Sequence, residues 1–164
     1  MSIFQKSEST PAELKSLVQR GDQLLAWARH NGGLIAVTKR HLISIDHHET
    51  NRIPWELTLQ AKWDEPLLLI VLQGQTQGEP IHMAWTMDEP GEVPSAVRDR
   101  VTAAVLVDQV REVQDIGRVR FIARRGPDTV SWIALPDNRE AAGTDIGAQR
   151  IREGLAEIQS IFGI

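Results

Sequence analysis

From Gln23 to Trp85, apolar and polar positions alternate at short range, in the pattern of β-strands rather than helices. Residues 23–29 and 34–38 are largely apolar runs on either side of Asn31-Gly32-Gly33, the mark of a hairpin. Lys39, Arg40 and His41 form a polar corner before a third run at 42–45, and a polar loop over 46–51 leads to Arg52-Ile53-Pro54-Trp55. Leu57, Leu59, Ala61 and Trp63 then share one face while Thr58, Gln60 and Lys62 share the other, as in a strand with one buried and one wet side. After the turn Asp64-Glu65-Pro66, residues 67–72 are apolar without a break, which suits a strand covered on both faces or capped by a helix. Ile81, Met83, Trp85 and Met87 alternate with His82, Ala84 and Thr86. About six strands at this spacing leave no room for crossover helices and predict antiparallel meander connections.

Helical periodicity brackets the strands. Thr10-Pro11-Ala12-Glu13 reads as a capping box with Thr10 as N-cap, Leu14, Leu17 and Val18 supply an apolar stripe, and Gly21 supplies the stop. A second helix is expected to start near Glu92 to Ser95 and to turn Val97, Val101 and Ala104 inward. Residues 104–113 admit two readings, a continued helix or a strand. The β-branched residues Val105, Val107, Val110 and Val113 favour a switch to strand near Ala104. Gly117 punctuates, and residues 119–123 and 129–135 flank Arg125-Gly126-Pro127-Asp128 as a hairpin. A polar, mobile loop is expected over 136–143, and a last helix from Thr144 with Ile151, Leu155, Ile158 and Phe162 at helical spacing. Gly154 inside that helix costs up to about 1 kcal/mol relative to alanine, so tertiary packing must hold it.

Composition narrows the class. A chain of 164 residues can build a core without a metal or disulfide staple, and the absence of cysteine removes disulfides, thiolate ligands and cysteine nucleophiles together. No apolar run approaches the ~20 residues needed to span a bilayer, and residues 1–8 lack the charged start and apolar centre of a signal peptide. The expectation is a soluble, cytoplasmic protein without integral membrane contact. It comprises an N-terminal segment over 1–22 and one α+β domain over 23–164, of which 23–103 holds the first strands and a helix and 104–164 three strands and the terminal helix. A net charge of −4 counts against a general nucleic-acid binder.

Four constellations could carry chemistry. Asp46-His47-His48-Glu49, with His41 nearby, contains good ligands for a divalent ion. Adjacent loop histidines rarely reach one metal and no helical His-x-x-x-His spacing is present, so a solvated turn is the better reading and no metal site is assigned. Arg118, Arg120, Arg124 and Arg125 are a basic group, with Arg118 and Arg120 on one strand face opposite Val119 and Phe121. They could bind phosphates or single-stranded nucleic acid, but a solvated face paired with Asp115 or Asp128 accounts for them more simply. Trp63, Trp85 and Trp132 alternate in phase with aliphatic residues and belong to the core, whereas Trp27 and Trp55 lie near turns and are rim candidates. No nucleophile elbow, phosphate loop or dinucleotide fingerprint is present, and Asp64-Glu65 and Asp88-Glu89 are explained by turns, so no catalytic residue and no cofactor is assigned.

The succession Leu25-Ala26-Trp27, residues 33–38, Arg52-Ile53-Pro54-Trp55, Ala61-Lys62-Trp63, residues 100–103, Arg124-Arg125 and Trp132 resembles a family of small actinobacterial proteins without assigned activity. The part up to the central helix is also similar to bacterial pleckstrin-homology-like domains, in which a curled antiparallel sheet, a partly open barrel, is closed at one end by a helix. That resemblance implies a binding or scaffolding module. The first hairpin loop lacks the lysine and arginine cluster of the lipid-binding members, which argues against lipid. The expected function is thus a non-catalytic module for protein, or for a second copy as a homodimer. Its candidate partner surface is Trp27, Trp55, Arg118, Arg120, Arg124 and Arg125. A small-molecule-binding or enzymatic barrel with its site in the sheet concavity is the second reading, and nucleic-acid binding through the arginine strand the third.

Overall fold

The computed structural model describes residues 9–74, 79–126 and 128–164, so the first eight residues, used for the signal-peptide reading, and Pro127 of the expected hairpin turn lie outside the described residues. The chain is α+β, with three separate antiparallel sheets and no closed barrel among the described residues. It divides into two compact units, the first running to Pro54 and continuing over Thr58–Arg100, the second made of Trp55–Leu57 and Val101–Ile164.

In the first unit, helix α1 (Ala12–Leu17) precedes β1 (Leu24–His30), β2 (Gly33–Thr38), β3 (His41–Asp46) and β4 (Glu49–Pro54), which pair in that order. Strands β5 (Thr58–Asp64), β6 (Leu67–Leu72) and β7 (Ile81–Thr86) form the second sheet, and helix α2 (Val93–Ala104) follows. The first hairpin closes over Asn31-Gly32, with His30 opposite Gly33. Gly33 is required there by close approach, since a Cβ would lie 1.9 Å from the Ile45 carbonyl oxygen. Residues 49–51, expected in a loop, belong to β4 instead, because register with Ser44, Ile45 and Asp46 pairs their backbone although their side chains offer little to bury.

Residues 34–38 of β2 are buried at every position, so this strand is covered on both faces. One cover is α1, whose Leu14 is completely buried against Leu34, Ala36 and Ile43, with Leu17, Leu24, Trp27 and Ile45 around it. The expected capping box is not formed. The helix starts one residue late for it, with Pro11 as N-cap and no side-chain cap, and Val18 is extended, so the helix ends before Gly21. Full burial of a leucine is worth roughly 1.5–3 kcal/mol, and that contact replaces the cap as the anchor of α1.

The second unit contains β8 (Val105–Val113), β9 (Gly117–Arg125) and β10 (Val130–Pro136) in the order β10-β9-β8, then α3 (Arg139–Ala142) and α4 (Asp145–Phe162). The helix-to-strand switch falls between Ala104 and Val105, where β-branched residues begin. Val107, Ile116, Val119, Phe121, Ala123 and Ile158 form the core, with Trp132, Ile151 and Leu155 packed on it. The stretch expected as a mobile loop over 136–143 includes the end of β10 and contains α3, because Asn138 Oδ1 accepts from the Ala141 N–H at 3.0 Å and caps a helical turn. Thr144 Oγ1 accepts from the Gly147 N–H at 3.0 Å and caps α4. Phe162, expected on the apolar stripe, is 41% exposed. Trp85 is buried as expected, whereas Trp63 and Trp132 are half-buried.

Candidate functional site

Strand β1 is an edge of the first sheet, and its alternation buries Ala26 and Ala28 while Leu25, Trp27 and Arg29 take the opposite face. The Arg29 guanidinium carbon lies 5.9 Å from the centroid of the Trp27 ring, within range of a cation–π contact. Trp27, Ala28, Arg29 and Glu89 line a half-open depression of about 250 Å³. A large aromatic, a cation and a carboxylate thus meet at one edge of the first unit.

The remaining predicted residues separate. Trp55, expected at a rim, is 3% exposed, because the 3-10 turn Trp55–Leu57 packs against β9 within the second unit. Arg124, expected on a solvated strand face, is 2% exposed, and its Nη1 reaches the Val101 carbonyl oxygen at 3.5 Å. Burial, followed by the charge of Arg120, lowers the Arg124 pKa, with Asp108 opposing. Arg120 grips Asp108 with two arms, its Nε donating to Asp108 Oδ1 at 2.8 Å and its Nη2 to Oδ2. That pairing holds the Asp108 carboxyl below its ordinary range and raises Arg120. The acidic partner is thus Asp108, across the β8–β9 ladder, while the expected Asp115 lies 3.6 Å from Arg150. Arg118 and Arg125 are exposed.

The histidines also take separate roles. His47 and His48 form the exposed two-residue turn between Asp46 and Glu49, with His47 at φ 48°. The Gly32 N–H donates to His30 Nδ1 at 3.1 Å, so Nε2 carries the proton and donates to the Ile45 carbonyl at 3.1 Å, with Asp46 Oδ1 3.3 Å away. Among the described residues, no three His, Asp or Glu side chains converge as a metal set.

One polar cluster escaped sequence reasoning. The Asp22 side chain is 1% exposed. Its Oδ2 accepts from Thr38 Oγ1 at 2.7 Å and lies 3.5 Å from His41 Nδ1, while Oδ1 accepts from the Gln23 N–H at 2.8 Å. Burial pushes this carboxyl up, but hydrogen bonds from Thr38, Gln23, His41 and Arg40 outweigh it and hold the pKa below the ordinary value. An aspartate just ahead of a strand, with threonine at the next turn, was the available signal. It ties the start of β1 to the β2–β3 corner and presents no accessible reactive group.

No helix among the described residues is long and apolar enough to cross a membrane. No protein-family model, curated protein or solved structure matches the chain.

Proposed function

We propose that this chain is a non-catalytic, cytoplasmic interaction module whose first unit is pleckstrin-homology-like, and that it recognises protein through the β1 edge at Trp27 and Arg29. The order of a four-stranded antiparallel sheet, a three-stranded one and then a helix supports the fold part of that reading. The Trp27–Arg29 stack beside Glu89 carries the binding part. Tryptophan and arginine are the residues most enriched at interface hot spots, and each can bury large area while keeping a polar handle.

The depression at the β1 edge is smaller than the ~300–1,000 Å³ typical of small-molecule pockets, so this place suits a surface contact better than an enclosed ligand. The buried polar cluster of the first unit, Asp22 with Thr38 and His41, is spent on tying β1 to the β2–β3 corner and presents no accessible reactive group to a ligand. Nucleic acid stands third, since Arg120 is committed to Asp108 and Arg124 is buried.

Affinity capture from the native cell with wild-type and Arg29→Glu baits tests the reading. A protein recovered by the wild type and lost with Arg29→Glu supports it, and recovery of the chain itself with the same sensitivity makes the partner a second copy. Recovery indifferent to Arg29→Glu and Trp27→Ala overturns the surface.

A further inference from the structure

One face of the first sheet is apolar where it meets α1, at Leu34, Ala36, Ile43 and Ile45. An antiparallel sheet with one solvated side normally carries polar residues there, so this face is built to be covered. Its cover is short. Helix α1 has six residues, no side-chain N-cap and one fully buried side chain, Leu14. A helix of that length does not persist in water on its own. Its C-terminal end is held by Arg52, whose Nη2 donates to the Leu17 carbonyl oxygen. Between α1 and the Asp22 anchor the chain is irregular, with Gly21 at φ 86° and nothing within 4 Å of where its Cβ would lie.

We infer that α1 is a displaceable strap on an apolar groove of the first sheet, and that the groove's ligand in trans is a leucine-bearing amphipathic helix of a partner protein. The occupant in place defines the ligand chemistry. A leucine fills the site between Leu34, Ala36 and Ile43, a second apolar residue lies one turn on at Leu17, and a helix C-terminal carbonyl meets a cation at Arg52. This is recognition of a helix in a groove by anchors on one helical face. Trp27 belongs both to the groove wall and to the β1 edge, so the two surfaces are continuous. The tether gives α1 a high effective concentration, and a trans ligand binds in proportion to the fraction of molecules whose strap is open. The inference rests on the proposed use of this sheet face for docking.

A fluorescein-labelled peptide of residues 9–20, titrated by anisotropy into the full chain and its variants, tests the strap. Binding to Leu14→Asp at least tenfold tighter than to the wild type, and abolished in Leu14→Asp/Ile45→Glu, is the expected result. Equal or absent binding to a Leu14→Asp protein that still melts cooperatively overturns the inference. Global unfolding of both Leu14→Asp and Leu14→Ala also overturns it, since α1 is then a fixed part of the core. Peptide binding is read without the native partner. Failure here with Arg29-dependent capture intact removes the strap and leaves the docking face, whereas peptide binding with Arg29-indifferent capture does the reverse.

Discussion

Asp22 shows how one buried carboxylate can order several backbone segments. Its native pKa lies below the ordinary value, so the fold favours the charged form. That stabilisation is complete above the usual carboxylate range, about pH 4, and is lost as pH falls through the lower native value. Hydrogen bonds to charged groups contribute about 1.5–3 kcal/mol each. Asp22→Asn is expected to lower stability by roughly that much at pH 7, and urea midpoints at pH 7 and pH 3 should show the deficit shrinking at the acid end. A deficit equal at both pH values would remove the charged form from the account. Glycine positions give a second test at this scale. A Cβ at Gly147 would lie 2.0 Å from the Ala141 carbonyl oxygen, as close as the clash at Gly33, and neither backbone can yield without moving an element. Gly33→Ala and Gly147→Ala should each cost about 1–3 kcal/mol, the range for forcing extra atoms into packed structure. The same change at Gly154 meets side chains alone, Phe121 Cζ at 3.3 Å and Val113 Cγ2 at 3.7 Å, and should cost less in the same denaturation series.

Elements with their own signals were legible from the residues, and those fixed by partners were not. The helical spacing of Ile151, Leu155 and Ile158 located α4 and the valines from Val105 onward the start of β8, and in the structure Thr144 caps α4. Thr144→Ala should therefore cost about 1 kcal/mol, seen as a lowered thermal midpoint, and no loss would mean that packing alone sets the start of α4. Residues 49–51 carried no apolar pattern because β4 is an exposed edge strand, held by pairing to β3. Residues 139–142 form a helix through the Asn138 cap and their approach to α4, neither visible in periodicity. Gly154 read as a defect, yet it lets α4 come close to Phe121. Of the candidate surface, Trp27 and Arg29 meet because alternate residues of one strand share a face, but only Trp27 was singled out. Arg29 needed the observed stack. The burial of Trp55 and Arg124 depends on contacts far along the chain, which no local pattern encodes.

At the scale of the whole molecule, sequence order and spatial order diverge at a single short segment. Trp55–Leu57 lies between β4 and β5, both of the first unit, yet it belongs to the second and packs on β9. A Cβ at Gly126, at the end of β9, would come 2.9 Å from Glu56 Oε1, so the segment fits that end of the strand closely. The second unit is therefore incomplete as a stretch of sequence, and cutting the chain before Val101 would separate it from a tryptophan that is 3% exposed. Truncating a buried tryptophan to alanine costs about 3–5 kcal/mol, from lost transfer energy and the cavity left behind. Trp55→Ala should direct that loss to the second unit. In native-state hydrogen exchange, amides of β8, β9 and β10 should lose protection by a larger factor than those of β2 and β3, because local stabilities are read separately by this measurement. An equal loss across all five strands would mean that Trp55 supports the molecule as one cooperative block, and preferential loss in β2 and β3 would place its stabilising contacts in the first unit.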